Sequence, residues 1–251
     1  MGLERIDKII SGQGAGSRSQ VKELIRRGAV TVNGTVVTRP EQKCDPETDR
    51  ICVQGEELCF RRNLYLMMNK PAGVLSASRD SRAQTVLDLL PPAWRRSGLF
   101  PAGRLDKDTT GLLLITDDGD LAHRMLSPRQ HVYKLYLARC DRDLTAEDEE
   151  AFAKGLSWGE VQYLPAVLEA IGGPLALVEI CEGKFHQVKN MFQAVGAQVH
   201  SLRRLRIGEL ELDPSLPPGG VRELTREETA LLVSRKKGFD RAKICAKYIK
   251  N

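Results

Sequence analysis

The sequence predicts a mixed α+β protein in two parts, a small amino-terminal module and a larger domain whose strands alternate irregularly with helices. Three observations carry that expectation. Strand-like and helix-like runs recur along the 251-residue chain without the regular strand–helix–strand spacing of a doubly wound sheet. Neither a Gly-x-Gly-x-x-Gly segment nor a phosphate-binding P-loop occurs, so no nucleotide cofactor is expected. A charged stretch, 56–63, separates a hairpin-containing beginning from a new apolar run that starts at Leu64.

The module, residues 1–60, opens with a helical segment over 5–11 that ends in the glycine-rich 12–16. Ser17, with Gln20 three residues on, is a capping-box start for a second helix running to Arg27. Val21, Leu24 and Ile25 supply its apolar stripe, while Arg18, Lys22 and Arg26 lie near one another at helical spacing. Gly28 stops it. Asn33-Gly34, between strand-like 29–32 and 35–38, is the strongest short hairpin signal. A further strand is expected over 50–53, and 56–63 reads as a linker.

The larger domain, 61–235, begins with a strand from Leu64 and the turn residues Asn69-Lys70-Pro71-Ala72-Gly73. Strands are expected over 111–116, 132–139, 176–181 and 202–207, and helices over 85–90, 118–125, 145–155, 185–195 and 226–232. Thr145 with Asp148 marks one helix start, and Gly196 one helix end. The tail, 236–251, is rich in Lys and Arg and reads as a solvated, partly ordered extension.

Composition narrows the function classes. The chain is long enough for one good core and a satellite domain, and its 41% hydrophobic and 28% charged residues are ordinary for a soluble protein. A net charge of +5 is a mild lean toward polyanions. No apolar segment is long enough to cross a membrane, and none resembles a secretory signal. Six cysteines without a Cys-x-x-Cys pair, and four histidines that add no paired ligands, point to reduced thiols in a cytoplasmic, metal-free protein.

Three segments of the larger domain carry chemistry. Gly103-Arg104-Leu105-Asp106-Lys107-Asp108-Thr109-Thr110-Gly111 is dense in polar residues just before an apolar strand, as a positioned active-site loop is. Taken alone it equally fits a capped turn with solvated carboxylates. In Tyr133-Lys134-Leu135-Tyr136, alternation places Lys134 and Tyr136 on one face and Leu135 on the other. An aromatic there can stack a base or belong to the core. The third is Glu182-Gly183-Lys184-Phe185-His186-Gln187-Val188-Lys189-Asn190-Met191-Phe192, a strand end leading into a helix. Val188, Met191 and Phe192 share a stripe and Lys189 points elsewhere, where it can meet a carboxylate of the first loop and hold it ionised.

In this order the three segments resemble the sequence motifs of the pseudouridine synthases, in the branch that acts on small-subunit ribosomal RNA. Asn69-Lys70-Pro71-x-Gly73 fits the start of that family's catalytic domain. The module, through Ser17-Arg18, Leu24-Ile25, Gly28 and Val32-Asn33-Gly34, resembles the small RNA-binding domain named after ribosomal small-subunit protein four. The resemblance covers about residues 3–232.

It implies an α+β catalytic domain with a central, mainly antiparallel sheet, no cofactor and no metal. Asp106 matches the nucleophile, Arg104 the residue that helps hold the extruded nucleotide, Tyr136 the aromatic that stacks on the uracil, and Lys189 the partner of Asp106. RNA contacts are expected from Arg18, Lys22, Arg26, Arg27, Lys184, Arg203 and Arg204, the last two in a strand whose basic residues alternate. Asn190 stands where a second basic residue is expected, which weakens a phosphate contact there. The implied partner is ribosomal RNA, 16S or a small-subunit assembly intermediate, met by a monomer. Large-subunit RNA and a non-catalytic assembly factor are the alternatives, and intact Asp106, Tyr136 and Lys189 weigh against the latter. A glycosidase needs carboxylates on opposite sides of a sugar, which neighbours such as Asp106 and Asp108 do not supply. Asp117-Asp118-Gly119-Asp120 lacks the remaining spacing of a calcium loop.

Overall fold

The computed structural model describes residues 2–249, with the backbone alone for Ala93. The described residues form two compact units: residues 2–64 with Leu90–Leu99, and Tyr65–Leu89 with residues 100–249. The division therefore departs from a simple cut near residue 60, because 90–99 groups with the first unit.

In the first unit, helices Ile6–Gly12 and Arg18–Arg26 pack on a four-stranded antiparallel sheet in the order Thr35–Val36, Val30–Val32, Ile51–Val53, Glu56–Glu57. Its core holds Ile6, Ile10, Val21, Ile25, Val30 and Ile51. The capping box forms in both directions: Gln20 N donates to Ser17 Oγ at 3.3 Å and Ser17 N to Gln20 Oε1 at 2.8 Å. Asn33 and Gly34 have φ of +52° and +81°, the primed-turn geometry of a two-residue hairpin. The expected linker is partly a strand. Glu56–Glu57 pairs with Ile51–Val53 around a second such turn, Gln54-Gly55, and its charged residues sit on an exposed edge where no apolar alternation marks them.

The second unit is built on a nine-stranded sheet. Its main order is Val167–Gly172, Leu175–Ile180, Lys134–Cys140, Val199–Ile207, Thr110–Thr116, Tyr65–Lys70, Val221–Glu223, with Leu210–Glu211 and Phe100–Ala102 as side branches. Among the described residues all its strand pairings are antiparallel except one, between Val199–Ile207 and Thr110–Thr116. That parallel junction sets Gly111 beside Arg204 with φ of +100°, and a Cβ there would lie 2.3 Å from the Arg204 carbonyl oxygen. Only glycine fits, which explains the last residue of the polar loop motif. Met67, Leu112 and Leu114 form a core with Leu121, Ala122 and Met125 of helix Gly119–Leu126, whose N-cap is Asp118.

Three expectations change. Residues 85–90 are not helical: Thr85 N and Oγ1 both donate to Asp88 Oδ2, closing a turn, and the following prolines disfavour helical continuation. A hairpin of Leu156–Trp158 and Val161–Tyr163 and the strand Val167–Gly172 fall where no strand is expected. Finally, the basic tail is not a solvated extension. Helix Arg241–Tyr248 buries Ile244 against Leu135, Leu177 and Leu205, and Gly238 N donates to Glu179 Oε2 at 2.8 Å. Phe239, Cys245 and Tyr248 pack on the same core, a few apolar residues among cations that a reading of composition passes over.

Candidate active site

Lys70, at the end of its strand, organises the polar loop. Its ammonium is fully buried and donates to the carbonyl oxygens of Thr109 at 2.9 Å, Asp106 at 3.0 Å, Pro71 at 3.1 Å and Lys107 at 3.3 Å. Burial pushes this amine down to about 8, with Asp108 and Asp106 opposing the shift. Ser76 Oγ donates to Leu105 O at 2.8 Å and accepts from Leu105 N at 3.1 Å, and Thr109 N closes a turn on Asp106 O at 3.1 Å. Asp106 thus sits on a turn clamped from inside.

Opposite it, helix Gln187–Ala194 buries Val188, Met191 and Phe192, as its stripe predicts, with Phe192 against Phe152 at 5.2 Å between ring centres. The helix is entered through His186, whose φ of +50° is unusual for a non-glycine residue. Gln187 anchors the bend by donating to Glu182 Oε1 at 2.8 Å and accepting from Lys184 N at 3.0 Å. This orientation aims Lys189 at the loop: its Nζ lies 3.1 Å from Asp106 Oδ2 and 2.6 Å from Asp108 Oδ1, while His186 Nε2 lies 3.5 Å from Asp106 Oδ1. Burial alone would lower the Lys189 amine, but its hydrogen bonds to Asp108 and Asp106 outweigh it and raise the amine. The same bond to Lys189 holds the Asp108 carboxyl below its ordinary range.

Asp106 and Lys189 open onto a cavity of about 700 Å³ walled by Tyr136, Lys134, Arg204 and Arg104. Tyr136 and Lys134 share the cavity face and Leu135 faces the opposite core, as alternation requires. Arg104 is exposed at the rim, with no ion pair or hydrogen bond among the described residues. Sequence reasoning passed over Asp108 as a partner of Lys189, and over Lys70 and Lys134 as buried cations. Only the unusual placement of Lys at strand positions hints at the last two.

The expected RNA contacts divide. Arg18, Lys22, Arg26 and Arg27 are all exposed on helix Arg18–Arg26 and its end, although Arg26 and Arg27 both pair with Glu23. Lys184 is exposed at the cavity and engaged by protein groups: it bonds Gln162 O, lies 3.2 Å from Glu182 Oε2, and its Nζ sits 5.6 Å from the Tyr163 ring centre. The alternating basic strand is corrected. A bulge in the pairing between Lys134–Cys140 and Val199–Ile207 leaves Leu205 and Arg206 toward the same core, where Arg206 pairs with Glu179. Arg203 lies 6.0 Å from the Tyr248 ring centre. Arg204, 4% exposed, donates to Leu112 O at 2.8 Å from the cavity floor, so it is not an outward phosphate contact. Asn190 takes a structural part, donating to Tyr163 Oη at 2.9 Å and to Phe185 O at 3.3 Å. Among the described residues no group of three or more His, Cys, Asp or Glu side chains is placed to hold a metal, and no helix is long and apolar enough to cross a membrane.

The structure thus brings Asp106, on a clamped turn, against Lys189 at a cavity walled by Tyr136. Residues 64–194 match the RNA pseudouridylate synthase family, and residues 4–51 the S4 domain. The chain belongs to the RNA pseudouridine synthases, isomerases that modify RNA. It is 47% identical over 233 residues to an uncharacterized RNA pseudouridine synthase of Bacillus subtilis, covering 91% of this chain and 98% of that one. It is 43% identical over 234 residues to ribosomal small subunit pseudouridine synthase A of Escherichia coli, covering 91% of this chain and all of that one. A crystal structure of a pseudouridylate synthase superposes with a TM-score of 0.63 at 36% identity, covering 91% of this chain and 99% of that one.

Proposed function

We propose that this enzyme converts a uridine of small-subunit ribosomal RNA to pseudouridine, with Asp106 as nucleophile and the target base taken out of its stack into the cavity. The observation that carries the assignment of Asp106 is its contact with Lys189, 3.1 Å away at the mouth of a cavity walled by Tyr136. The small-subunit substrate rests on the likeness to the E. coli enzyme along its whole length.

A base within RNA structure must leave its stack before its glycosidic bond can be reached. Tyr136 then offers a face for the uracil, and Arg104, exposed at the rim, a cation to hold the extruded nucleotide. Asp106 attacks the ring or the ribose. The bond from ribose C1′ to N1 breaks, the base rotates, C5 bonds to C1′, and the bond to Asp106 breaks to return its carboxylate. N1 gains a proton and C5 loses one, so the product is an isomer. Residues 1–60 contribute grip through the exposed cations of helix Arg18–Arg26, and residues 61–235 the chemistry. Asp106, Lys189 and Tyr136 all belong to one chain, and a monomer acting in the cytoplasm is the form proposed.

The test is carbodiimide mapping of pseudouridine on unmodified small-subunit and large-subunit rRNA transcripts, wild type beside Asp106→Asn. One new site on the small-subunit transcript is expected, with the variant slower by about 10⁴-fold or more while still binding RNA. An active Asp106→Asn enzyme overturns the nucleophile, and a site on the large-subunit transcript alone overturns the substrate.

A further inference from the structure

The cavity floor holds two buried cations that no carboxylate neutralises. Lys134 is 6% exposed and its Nζ donates to Val132 O at 2.9 Å. Arg204 is 4% exposed, bonds Leu112 O through Nε, and keeps Nη2 buried without a partner. Arg204 is the cross-strand partner of Tyr136, and Lys134 precedes Tyr136 by two residues, so both cations flank the same aromatic on the cavity face. The acids nearby are already engaged. Asp106 and Asp108 face Lys189, and Glu182 accepts from Leu164 N and Gln187 Nε2 with Lys184 beside it. Arg206, on the same strand as Arg204, is by contrast paired with the buried Glu179.

A buried charge without a counterion is strongly disfavoured unless something else in the working molecule answers it. Around Lys134 the charged and titratable neighbours are Arg204, Cys181 and Glu182. Burial, with Arg204 adding to it, pushes the amine down to about 8, which leaves it a cation at neutral pH.

The reaction supplies the missing anion. If Asp106 attacks the ribose, the electron pair of the C1′–N1 bond passes to the ring and spreads over N1, O2 and O4. If it attacks C6 of the ring, the charge passes to C5 and O4. Either route makes a uracil carbonyl oxygen anionic before the C5–C1′ bond forms, and rebonding with loss of the C5 proton and gain of one at N1 returns the ring to neutrality. Resting on the reading of this cavity as the uridine pocket, we propose that Lys134, supported by Arg204, is an electrostatic catalyst that stabilises the anionic carbonyl oxygen of the uracil. Fixed charge aimed at developing charge in a site shielded from water is among the largest sources of catalysis.

The test compares single-turnover rate, RNA affinity and thermal stability for wild type, Lys134→Met and Lys134→Arg on the unmodified rRNA transcripts. Lys134→Met is expected to lose roughly 100-fold in rate with unchanged affinity. Its thermal midpoint should match or exceed wild type, because an unneutralised charge has left the interior. Lys134→Arg should keep most of the rate, and Arg204→Met should lose less than Lys134→Met, since Arg204 Nε is tied to Leu112 O and its Nη2 is buried. An unchanged rate in Lys134→Met overturns the inference. So does a loss carried by weaker binding, or one matched by a fall in thermal midpoint, which would make Lys134 a phosphate contact or a scaffold. A wild type inactive on both transcripts overturns the reading of the cavity itself, and the inference with it.

Discussion

The two units of this enzyme use positive charge in opposite ways. In the first, Arg18, Lys22, Arg26 and Arg27 stand exposed on one helix and its end, and two of them share Glu23. In the second, Lys70 is buried beneath the polar loop, and Lys134 and Arg204 are buried in the cavity floor. Exposed cations act on RNA by releasing counterions, so each contributes a similar, salt-sensitive increment and none needs an exact position. Buried cations act in a low dielectric, where one group in the right place is worth many on the surface. Even the buried set divides: Lys70 has four carbonyl acceptors, Lys134 one.

That contrast breaks most visibly at Lys70. Replacing it by Met strips a donor from four inward carbonyl oxygens, and a loss of about 3–5 kcal/mol in unfolding free energy is expected by chemical denaturation. Pseudouridine formation should fall with it as the Asp106 turn loosens. Equal stability of Lys70→Met and Lys134→Met would erase the distinction between a scaffold lysine and a catalytic one.

The pH dependence sharpens the same point. Both amines lie near 8 in the folded protein, below their ordinary value near 10.5, so the unfolded chain binds more protons between those pH values. The cost of burying the charges is therefore complete below pH 8 and is relieved as pH rises through 8 to 10.5. Stability should gain on the order of 1–3 kcal/mol across that window, a gain that Lys134→Met reduces. Turnover should move the other way, declining above pH 8 as the ammonium groups are lost. A rate that holds steady to pH 10 would remove the buried lysines from the chemistry.

The smallest effect belongs to the first unit. Replacing Arg18, Lys22 and Arg26 together by Ala should weaken RNA binding and lower the slope of log K against log salt by about 2–3, with the single-turnover rate at saturation unchanged. A slope unaltered by the triple substitution would move the electrostatic grip elsewhere.

Much of this was legible before folding. The Ser17–Gln20 capping box and the Asn33-Gly34 hairpin are local devices, made by residues three apart or fewer, and both form as written. The stripe Val188, Met191, Phe192 oriented its helix and so placed Lys189. Where neighbours decide, reading failed. The expected helix over 85–90 lost to a Thr85–Asp88 turn, and the charged linker hid an edge strand that pairs with Ile51–Val53.

By itself the sequence determined the mixed α+β class, the order of the three motifs, the apolar alternation that aims Tyr136 into the cavity, and the glycine that the polar loop ends on. These depend on side-chain period and backbone freedom, which are properties of short segments. Only the tertiary structure decided that a bulge turns Arg206 toward Glu179 while Arg204 faces the cavity, that Ile244 docks a basic tail, and that Lys189 is divided between Asp106 and Asp108. Those outcomes join residues far apart in the chain, and whether a cation is neutralised, solvated or left bare is set by what the fold brings against it.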